Sequence, residues 1–176
     1  LITHWGMSGP AILKLSSYAA RYLADNDYRA TLLVNWLGEG HNEQTAQEML
    51  RNLIERNRQK QASSVHPEAL TQRMWEYIIG KCNIPADRRL SELSKKHINV
   101  LCATLTNDTY RIDGQSRFKD EFVTCGGVAL SNINQNTLEV KKYPGLFFAG
   151  EVLDVDAITG GFNLQAAWSM GYVSAN

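Results

Sequence analysis

The sequence predicts an α+β, or mixed α/β, fold that combines a small helical subdomain with strand-rich segments. Two observations predict this class. The middle of the chain repeats apolar residues at intervals of three and four, as helices with one buried face do, whereas its flanks show the alternation and short apolar runs of strands. Near the carboxyl end, an apolar run leads into a glycine-rich turn and then into a further helical pattern.

These elements divide the chain into three zones. The first is predicted to be the tail of a β-containing module, the second a small helical subdomain, and the third a strand-rich segment that ends in a helix. The predicted zones are residues 1–40, 41–108 and 109–176.

The first zone opens with a helix. Ser8 suits the N-cap position, and the polar residues 25–27 end the apolar periodicity. Alternation then predicts a strand that places Ala30, Leu32, Val34 and Trp36 on one apolar face.

The second zone carries three short amphipathic patterns separated by polar connectors, which is typical of a small helical bundle. The first pattern covers residues 46–54, and the second is predicted to open at Pro67. The third begins within residues 91–94. His97 lies on its apolar side and is interpreted as a core histidine with its polar atoms satisfied.

The third zone returns to strands, which are predicted at residues 110–112, 122–124 and 138–140. Residues 146–149 form a continuous apolar run, as expected of a strand buried on both faces. That strand would leave Glu151 at its carboxyl end, where open α/β sheets bind their ligands.

A glycine-rich turn follows this predicted strand. Gly160 and Gly161 have no Cβ and can let a ligand approach the backbone closely. A helical pattern starts at Asn163, so its free N–H groups would point at an anion or an electron-rich carbonyl, and Glu151 would accept hydrogen bonds from sugar-alcohol hydroxyls. The run therefore predicts a cradle for the polar middle of a dinucleotide.

Four segments closely resemble the BaiN-like, aminoacetone-oxidase-type NAD(P)/FAD-dependent oxidoreductases. The resemblance covers nearly the whole chain in matching order and is most specific in the third zone, whereas the helical middle matches only in pattern. The segments are Thr3-His-Trp-Gly-Met-Ser-Gly-Pro10, Phe122-Val-Thr-Cys-Gly-Gly-Val128, Gly150-Glu-Val-Leu-Asp154 and Thr159-Gly-Gly-Phe-Asn-Leu-Gln-Ala-Ala-Trp-Ser-Met-Gly171.

The resemblance implies that residues 109–176 are the C-terminal part of a FAD-binding domain of the two-dinucleotide-binding type, and that the first two zones form an insert. It implies FAD as cofactor, with NAD(P)H as a candidate reductant, and a flavin-facing role for the strand end, the turn and the last helix. The implied cofactor-binding residues are Gly126, Gly127, Gly150, Glu151, Thr159, Gly160, Gly161, Phe162, Asn163, Leu164 and Gln165.

One departure from this family limits the expectation. The G-x-G-x-x-G turn that binds the adenosine half of FAD occurs nowhere in the sequence. The chain also starts at Leu1, inside a motif, and is interpreted as a fragment whose partner is the remaining N-terminal part of the same protein. The fragment alone is expected to hold FAD weakly or not at all and to be inactive. The alternative is a non-catalytic lid or protein-interaction domain.

Composition excludes several classes of function. The formal net charge is zero and no stripe of lysine and arginine is visible in the sequence, so no nucleic-acid partner is expected. Three cysteines without C-x-x-C spacing favour a reducing, cytoplasmic location and argue against zinc. No apolar run is long enough for a membrane span, and Asp154 and Asp156 are interpreted as turn formers rather than metal ligands.

Other chemistry has weaker support. Gly6-Met-Ser8-Gly9-Pro10 is similar to the G-x-S-x-G motif of hydrolases but ends in the wrong residue, so helix capping by Ser8 is favoured. The resemblance would place His4 near the substrate side of the flavin. Cys125 is interpreted as a small buried residue, since no second cysteine lies at redox spacing. The sequence assigns no catalytic residue, substrate or preference between NADH and NADPH.

Overall fold

The computed structural model of this chain describes residues 1–4, 6–115, 123–158 and 160–175. Its described residues combine α-helices with a two-stranded sheet, which confirms the predicted α+β class. The chain divides into two compact units: Ala30–Ile112, called the helical unit below, and Leu1–Arg29 with Asp113–Asn176, called the terminal unit.

The helices are α1 to α5 and the strands β1 and β2, numbered in chain order. Single turns of 3₁₀ helix occur at Ala62–Ser64, Leu90–Glu92, Leu130–Asn132 and Gly150–Val152. The longer elements are α1 (Pro10–Asp25), β1 (Arg29–Val34), α2 (Glu43–Arg56), α3 (Gln72–Lys81), α4 (Lys95–Asn107), β2 (Asp108–Asp113) and α5 (Phe162–Ala175). The first predicted zone is shared between the units, because α1 clusters with the residues after Ile112 and β1 with the helices.

The two strands pair in an antiparallel sheet. The Gly114 N–H donates to the Tyr28 carbonyl at 2.9 Å, and the Trp36 N–H donates to the Leu105 carbonyl at 2.8 Å, so the start of one strand lies beside the end of the other. Alternate residues of β1 are half-buried and exposed, which confirms the predicted apolar face at Ala30, Leu32 and Val34, but the strand ends before Trp36.

The helical unit has one hydrophobic core under α2, α3 and α4, with α2 and α3 both packed on α4. Capping boxes at Asn42 and Ser94 fix the starts of α2 and α4. The largest fully buried side chains of this core are Leu50, Trp75, Ile78, Ile79, Leu90, Leu101, Cys102 and Leu105.

Two sequence predictions in this unit were wrong in detail. α3 begins at Gln72 rather than at Pro67, because Thr71 accepts a hydrogen bond from the Met74 N–H and caps the helix there, whereas the Pro67 carbonyl closes a turn with Leu70. His97 is half-buried, and its Nδ1 accepts from the Ser94 N–H, so it belongs to the cap of α4.

Two long connectors of the helical unit, one between α2 and α3 and the other between α3 and α4, run side by side. The Ser91 N–H donates to the Arg58 carbonyl and the Leu90 N–H to the Lys60 carbonyl, each at 3.0 Å, and Gln61 forms an antiparallel bridge with Arg89. The buried indole of Trp75 also donates to the Ala62 carbonyl at 2.7 Å, which anchors the pair to α3.

The terminal unit has a smaller hydrophobic core, formed by residues next to isolated β-bridges. Val128 pairs in parallel with Leu153, and Ile133 pairs with Val140. The side chains of Ile133, Leu138, Val140 and Leu153 form the buried cluster.

The predicted strand over residues 146–149 is wrong. Phe147 makes a single bridge with Glu139, and Leu146 and Phe147 are each 43% exposed. This exposure shows that the run is not buried on both faces, and within the described residues no strand pairs with it on the edge away from Glu139. Of the predicted strand at 122–124, Phe122 lies outside the described residues and the other two residues are irregular.

The N-terminal cap of α1 also differs from the prediction. Gly9, with φ +94°, occupies the N-cap position and no side chain caps the helix, so Ser8 does not have the predicted role. Neither α1 nor α5 contains a buried residue among its described positions. No helix in the described part of the chain combines the length and apolar character needed to cross a membrane.

Candidate cofactor site

Gly127, the second of the two glycines after Cys125, lies against the chain that carries the predicted acidic residue. Gly127 has φ +148°, and a Cβ on it would lie 2.6 Å from the Val152 carbonyl oxygen and 2.7 Å from the carbonyl carbon of Leu153. On either side of this contact the Val128 N–H donates to the Val152 carbonyl and the Asp154 N–H donates to the Val128 carbonyl. Only glycine permits this close backbone approach.

Glu151 lies in the 3₁₀ turn that follows, between the glycine pair and α5. Gly150 opens this turn with φ +79°, and a Cβ on it would lie 3.7 Å from the Ala167 Cβ of α5, so turn and helix are in contact. The Glu151 side chain is exposed and forms neither a hydrogen bond nor an ion pair with any described residue. Its carboxylate is therefore available to a ligand.

The loop into α5 is closed by the side chain of Asn163. Its Oδ1 accepts from the Ala157 N–H at 2.9 Å and its Nδ2 donates to the Ala157 carbonyl at 3.1 Å. The Gln165 N–H donates to the Gly161 carbonyl at 2.9 Å as the first helical bond. The N–H groups of the preceding residues of α5 have no partner within the helix and face outward from its positive end.

The remaining predicted residues of this site are exposed. Phe162 and Leu164 are 65% and 59% exposed, and the Gln165 side chain donates to the Ser169 hydroxyl. Gly160 packs on the Phe162 ring, and Thr159 lies outside the described residues. The structure thus places Gly127 against residues 152–154 and the Glu151 turn against α5 near Ala167, all within the terminal unit.

Sequence reasoning missed the partner of Asp154. The Arg21 guanidinium of α1 donates to the Asp154 carboxylate across a large sequence separation, and no local pattern signals that pairing. Asp154 is therefore ion-paired with a residue of α1, a partner that the interpretation as a turn former did not include. Within the described ranges, no group of three or more acidic, histidine or cysteine side chains could hold a metal ion.

Cys125 and the His4 segment show no activated nucleophile. The pKa of the Cys125 thiol is raised, chiefly by burial and further by a hydrogen bond to Asp156 and the charges of Asp156 and Asp154. These effects outweigh the charge of Arg21, which lowers the pKa. The thiol therefore stays protonated at neutral pH. It is half-buried rather than buried as predicted, and no hydrogen bond joins His4 to Ser8 in the described residues.

The helical unit contains a separate polar cluster around Asp108, which is 4% exposed. The Asp108 carboxylate accepts from Lys81 Nζ at 2.6 Å, Tyr110 OH at 2.7 Å and Trp36 Nε1 at 3.0 Å. The Lys81 ammonium also lies 4.0 Å from the centre of the Tyr110 ring, and Tyr77 bonds the Tyr110 hydroxyl. Every polar atom here has a partner, so we interpret the cluster as structural.

Electrostatics agree with that interpretation. Burial favours a higher Asp108 pKa, but the hydrogen bonds from Lys81, Tyr110 and Trp36, with the Lys81 charge, outweigh it and lower the pKa below its ordinary value. Burial, followed by the hydrogen bonds of Tyr77 and Asp108, raises the Tyr110 pKa. The carboxylate is thus ionised, and the phenol neutral, at neutral pH.

Comparison with known proteins places these features in context. Residues 1–123 match the family model described as "HI0933-like protein barrel and H2TH domain". The chain is 34% identical to the ribosomal RNA dihydrouridine synthase of Escherichia coli and 30% identical to that of Haemophilus influenzae, over 99% of this chain and 41% of each relative. It is 29% identical to the 3-dehydro-bile acid delta(4,6)-reductase of Clostridium scindens, over 98% of this chain and 42% of that protein.

The chain therefore spans about two fifths of the length of these relatives. The name of the third relative describes a reductase, and the name shared by the first two describes the synthesis of a reduced nucleoside. Both agree with the oxidoreductase class that the motif resemblance implies.

Proposed function

The chain belongs to the HI0933-like family, and from this premise we propose that it supplies the flavin side of a FAD site, together with an insert, to a flavin-dependent reductase. The close packing of Gly127 on the chain that carries Glu151, beside the start of α5, is the observation that carries the proposal. Within the family, the motif resemblance favours the BaiN-like type, with NAD(P)H as reductant.

The chemistry of the exposed groups supports this assignment. The unpartnered carboxylate of Glu151 suits the ribityl or pyrophosphate-side hydroxyls of the cofactor, because a charged acceptor makes strong hydrogen bonds to O–H donors. The N–H groups at the start of α5 suit the pyrimidine edge of the flavin, where reduction develops negative charge. When bound, FAD supplies the hydride chemistry.

The rest of the protein is proposed to complete the site. The chain lacks the turn that would hold the adenosine half of FAD, and it spans 41% of the length of two relatives. Large apolar side chains are exposed on both α1 and α5, and we propose that the remaining part of the FAD-binding domain covers them. They include Tyr18, Tyr22, Trp168 and Tyr172, which are 59–73% exposed.

We propose a uracil base of RNA as the substrate of the complete enzyme. The two relatives with the higher identities are named for making dihydrouridine in ribosomal RNA, and the third is named as a reductase of a bile acid. Conversion of uridine to dihydrouridine reduces a ring carbon–carbon double bond conjugated to a carbonyl. This proposal differs from the expectation of no nucleic-acid partner, which rested on the zero net charge and on the absence of a stripe of lysine and arginine in the sequence.

We predict that Glu151→Ala weakens FAD binding about tenfold or more in the longer protein that contains this chain, called the parent-length protein below. The reason is that a hydrogen bond to a charged group contributes about 1.5–3 kcal/mol. Titration of apoprotein with FAD, followed by quenching of flavin fluorescence, measures the change. Glu68→Ala is the matched control, since Glu68 is also exposed and lies in the helical unit. Equal affinities of wild type and E151A would remove Glu151 from the site.

The same titration with the 176-residue chain separates this function from its alternative. Saturable quenching would show a flavin site formed by these residues alone. If neither this chain nor the parent-length protein binds FAD, the non-catalytic lid or interaction domain replaces the proposal.

A further inference from the structure

The paired connectors of the helical unit bring together cations that are far apart in the sequence. The paired segments of these connectors are residues 57–64, which carry Arg58 and Lys60, and residues 86–97, which carry Arg88 and Arg89 and extend into α4. The backbone hydrogen bonds from Ser91 to Arg58 and from Leu90 to Lys60 place these residues side by side. The second connector continues into the first turn of α4, which adds Lys95 and Lys96. We call these six cations the connector surface.

The connector surface is strongly basic in an otherwise acidic chain. Its two segments contain six cations and only two carboxylates, Asp87 and Glu92, which gives a formal charge of +4. Because the whole chain has a net charge of zero, the remaining residues carry −4. A charge difference of this size creates a local positive potential that the net charge conceals.

Folding does not account for these cations. Among the described residues, ion pairs form at Arg21, Arg29 and Lys81, and none of the six cations of the connector surface has a carboxylate within 4 Å. Five of the six are exposed, and Arg88 is half-buried. Lys95 and Lys96 even occupy the positive end of α4, where the helix dipole disfavours them.

The backbone beneath these side chains is held in place. The Trp75 indole donates to the Ala62 carbonyl, and the Gln72 side chain donates to the Ser63 carbonyl at 2.6 Å. Both contacts fix the first connector to α3, and the bridge between Gln61 and Arg89 fixes the second connector to the first. A fixed backbone reduces the entropy that a ligand must overcome to order its site.

We propose that the connector surface binds the phosphate backbone of RNA. The inference rests on the proposed function, which gives the complete enzyme an RNA substrate. Arginine presents its N–H groups in a planar fork that matches phosphate oxygens, and lysine adds point charges. Contacts of this kind position the nucleic acid without reading its sequence, and they leave base recognition to the site of chemistry.

The test compares RNA binding by the full chain and by the triple variant Arg58→Gln/Lys60→Gln/Arg89→Gln. Fluorescence anisotropy of a labelled RNA hairpin measures affinity over a series of salt concentrations. At about 0.1 M salt the variant is expected to bind at least tenfold more weakly, and the slope of log affinity against log salt is expected to fall by about two to three.

The matched control is Lys14→Gln/Lys142→Gln, which removes two exposed cations of the terminal unit. It is expected to change RNA affinity less than twofold. An equal loss in control and triple variant, or no loss in the triple variant, would overturn the proposal. Binding to phosphatidylserine vesicles without binding to RNA would also overturn it and assign the surface to a lipid headgroup. Circular dichroism checks that each variant is folded.

FAD titration of the same proteins separates this proposal from the proposed function. The triple variant is expected to bind FAD as the wild type does, in the parent-length protein. FAD binding without RNA binding would reject the connector surface alone, whereas RNA binding through these cations without FAD binding would reject the flavin site alone.

Discussion

Replacement of Asp108 by alanine is expected to lower the free energy of unfolding of the helical unit by about 1–3 kcal/mol, the usual cost of leaving hydrogen-bonding partners of a buried group unsatisfied. The substitution leaves the Lys81 ammonium without its counter-ion and the N–H of Trp36 without its acceptor. Urea denaturation followed by far-ultraviolet circular dichroism measures the change. Asp87→Ala, at an exposed aspartate of the same unit, is the control, and an equal loss in both variants would contradict the structural role of Asp108.

The same carboxylate makes stability depend on pH. Its folded-state pKa lies below the ordinary value of 3.8, so its contribution is fully present above that value and is lost as the pH falls through the folded-state pKa. We therefore expect unfolding free energy to decrease in acid, and to decrease less in Asp108→Asn, because asparagine does not titrate. Parallel pH profiles for the two proteins would show that other groups cause the acid loss.

Gly127→Ala is expected to disrupt the candidate site, with a cost of about 3 kcal/mol or more from backbone strain and overpacking together. The added Cβ would lie 2.6 Å from the Val152 carbonyl oxygen, so the backbone on one side must move. The hydrogen bonds that join Val128 to Val152 and Asp154 would then open. Hydrogen exchange at the Val128 and Asp154 amides reports this directly, and FAD affinity of the parent-length protein should fall with it.

Gly126→Ala provides a matched control within the same pair. Gly126 has φ +111°, which strains the backbone of any other residue, but no atom lies within 4 Å of an added Cβ. This variant therefore introduces backbone strain without a steric clash. Its exchange rates should stay closer to those of the wild type. If G126A and G127A behave alike, the close contact with residues 152–154 is not what requires glycine.

The sequence predicted the helices well because their signals are local. Ser94, within the predicted start of the third pattern, caps α4 through a residue three positions away, whereas the start of α2 at Glu43, capped by Asn42, lies three residues before the predicted pattern. β1 was predicted for the same reason, since alternation is a property of neighbouring residues. The start of α3 was missed because Pro67 and Thr71 both suit a helix start.

Features that depend on distant residues were not predictable. Whether residues 146–149 form a doubly buried strand depends on neighbours that the run itself does not specify. The pairing of Arg21 with Asp154 joins α1 to a loop late in the chain, and no spacing rule connects them. The connector surface has the same origin, because each connector by itself has only a modest positive charge.

The double hydrogen bond between Asn163 and Ala157 has a consequence for the kinetics of cofactor capture. The two bonds tie the first turn of α5 to the backbone of Ala157 through both polar groups of one amide side chain. Under the proposed function, binding of the cofactor is expected to leave this contact in place, so its opening should not slow association.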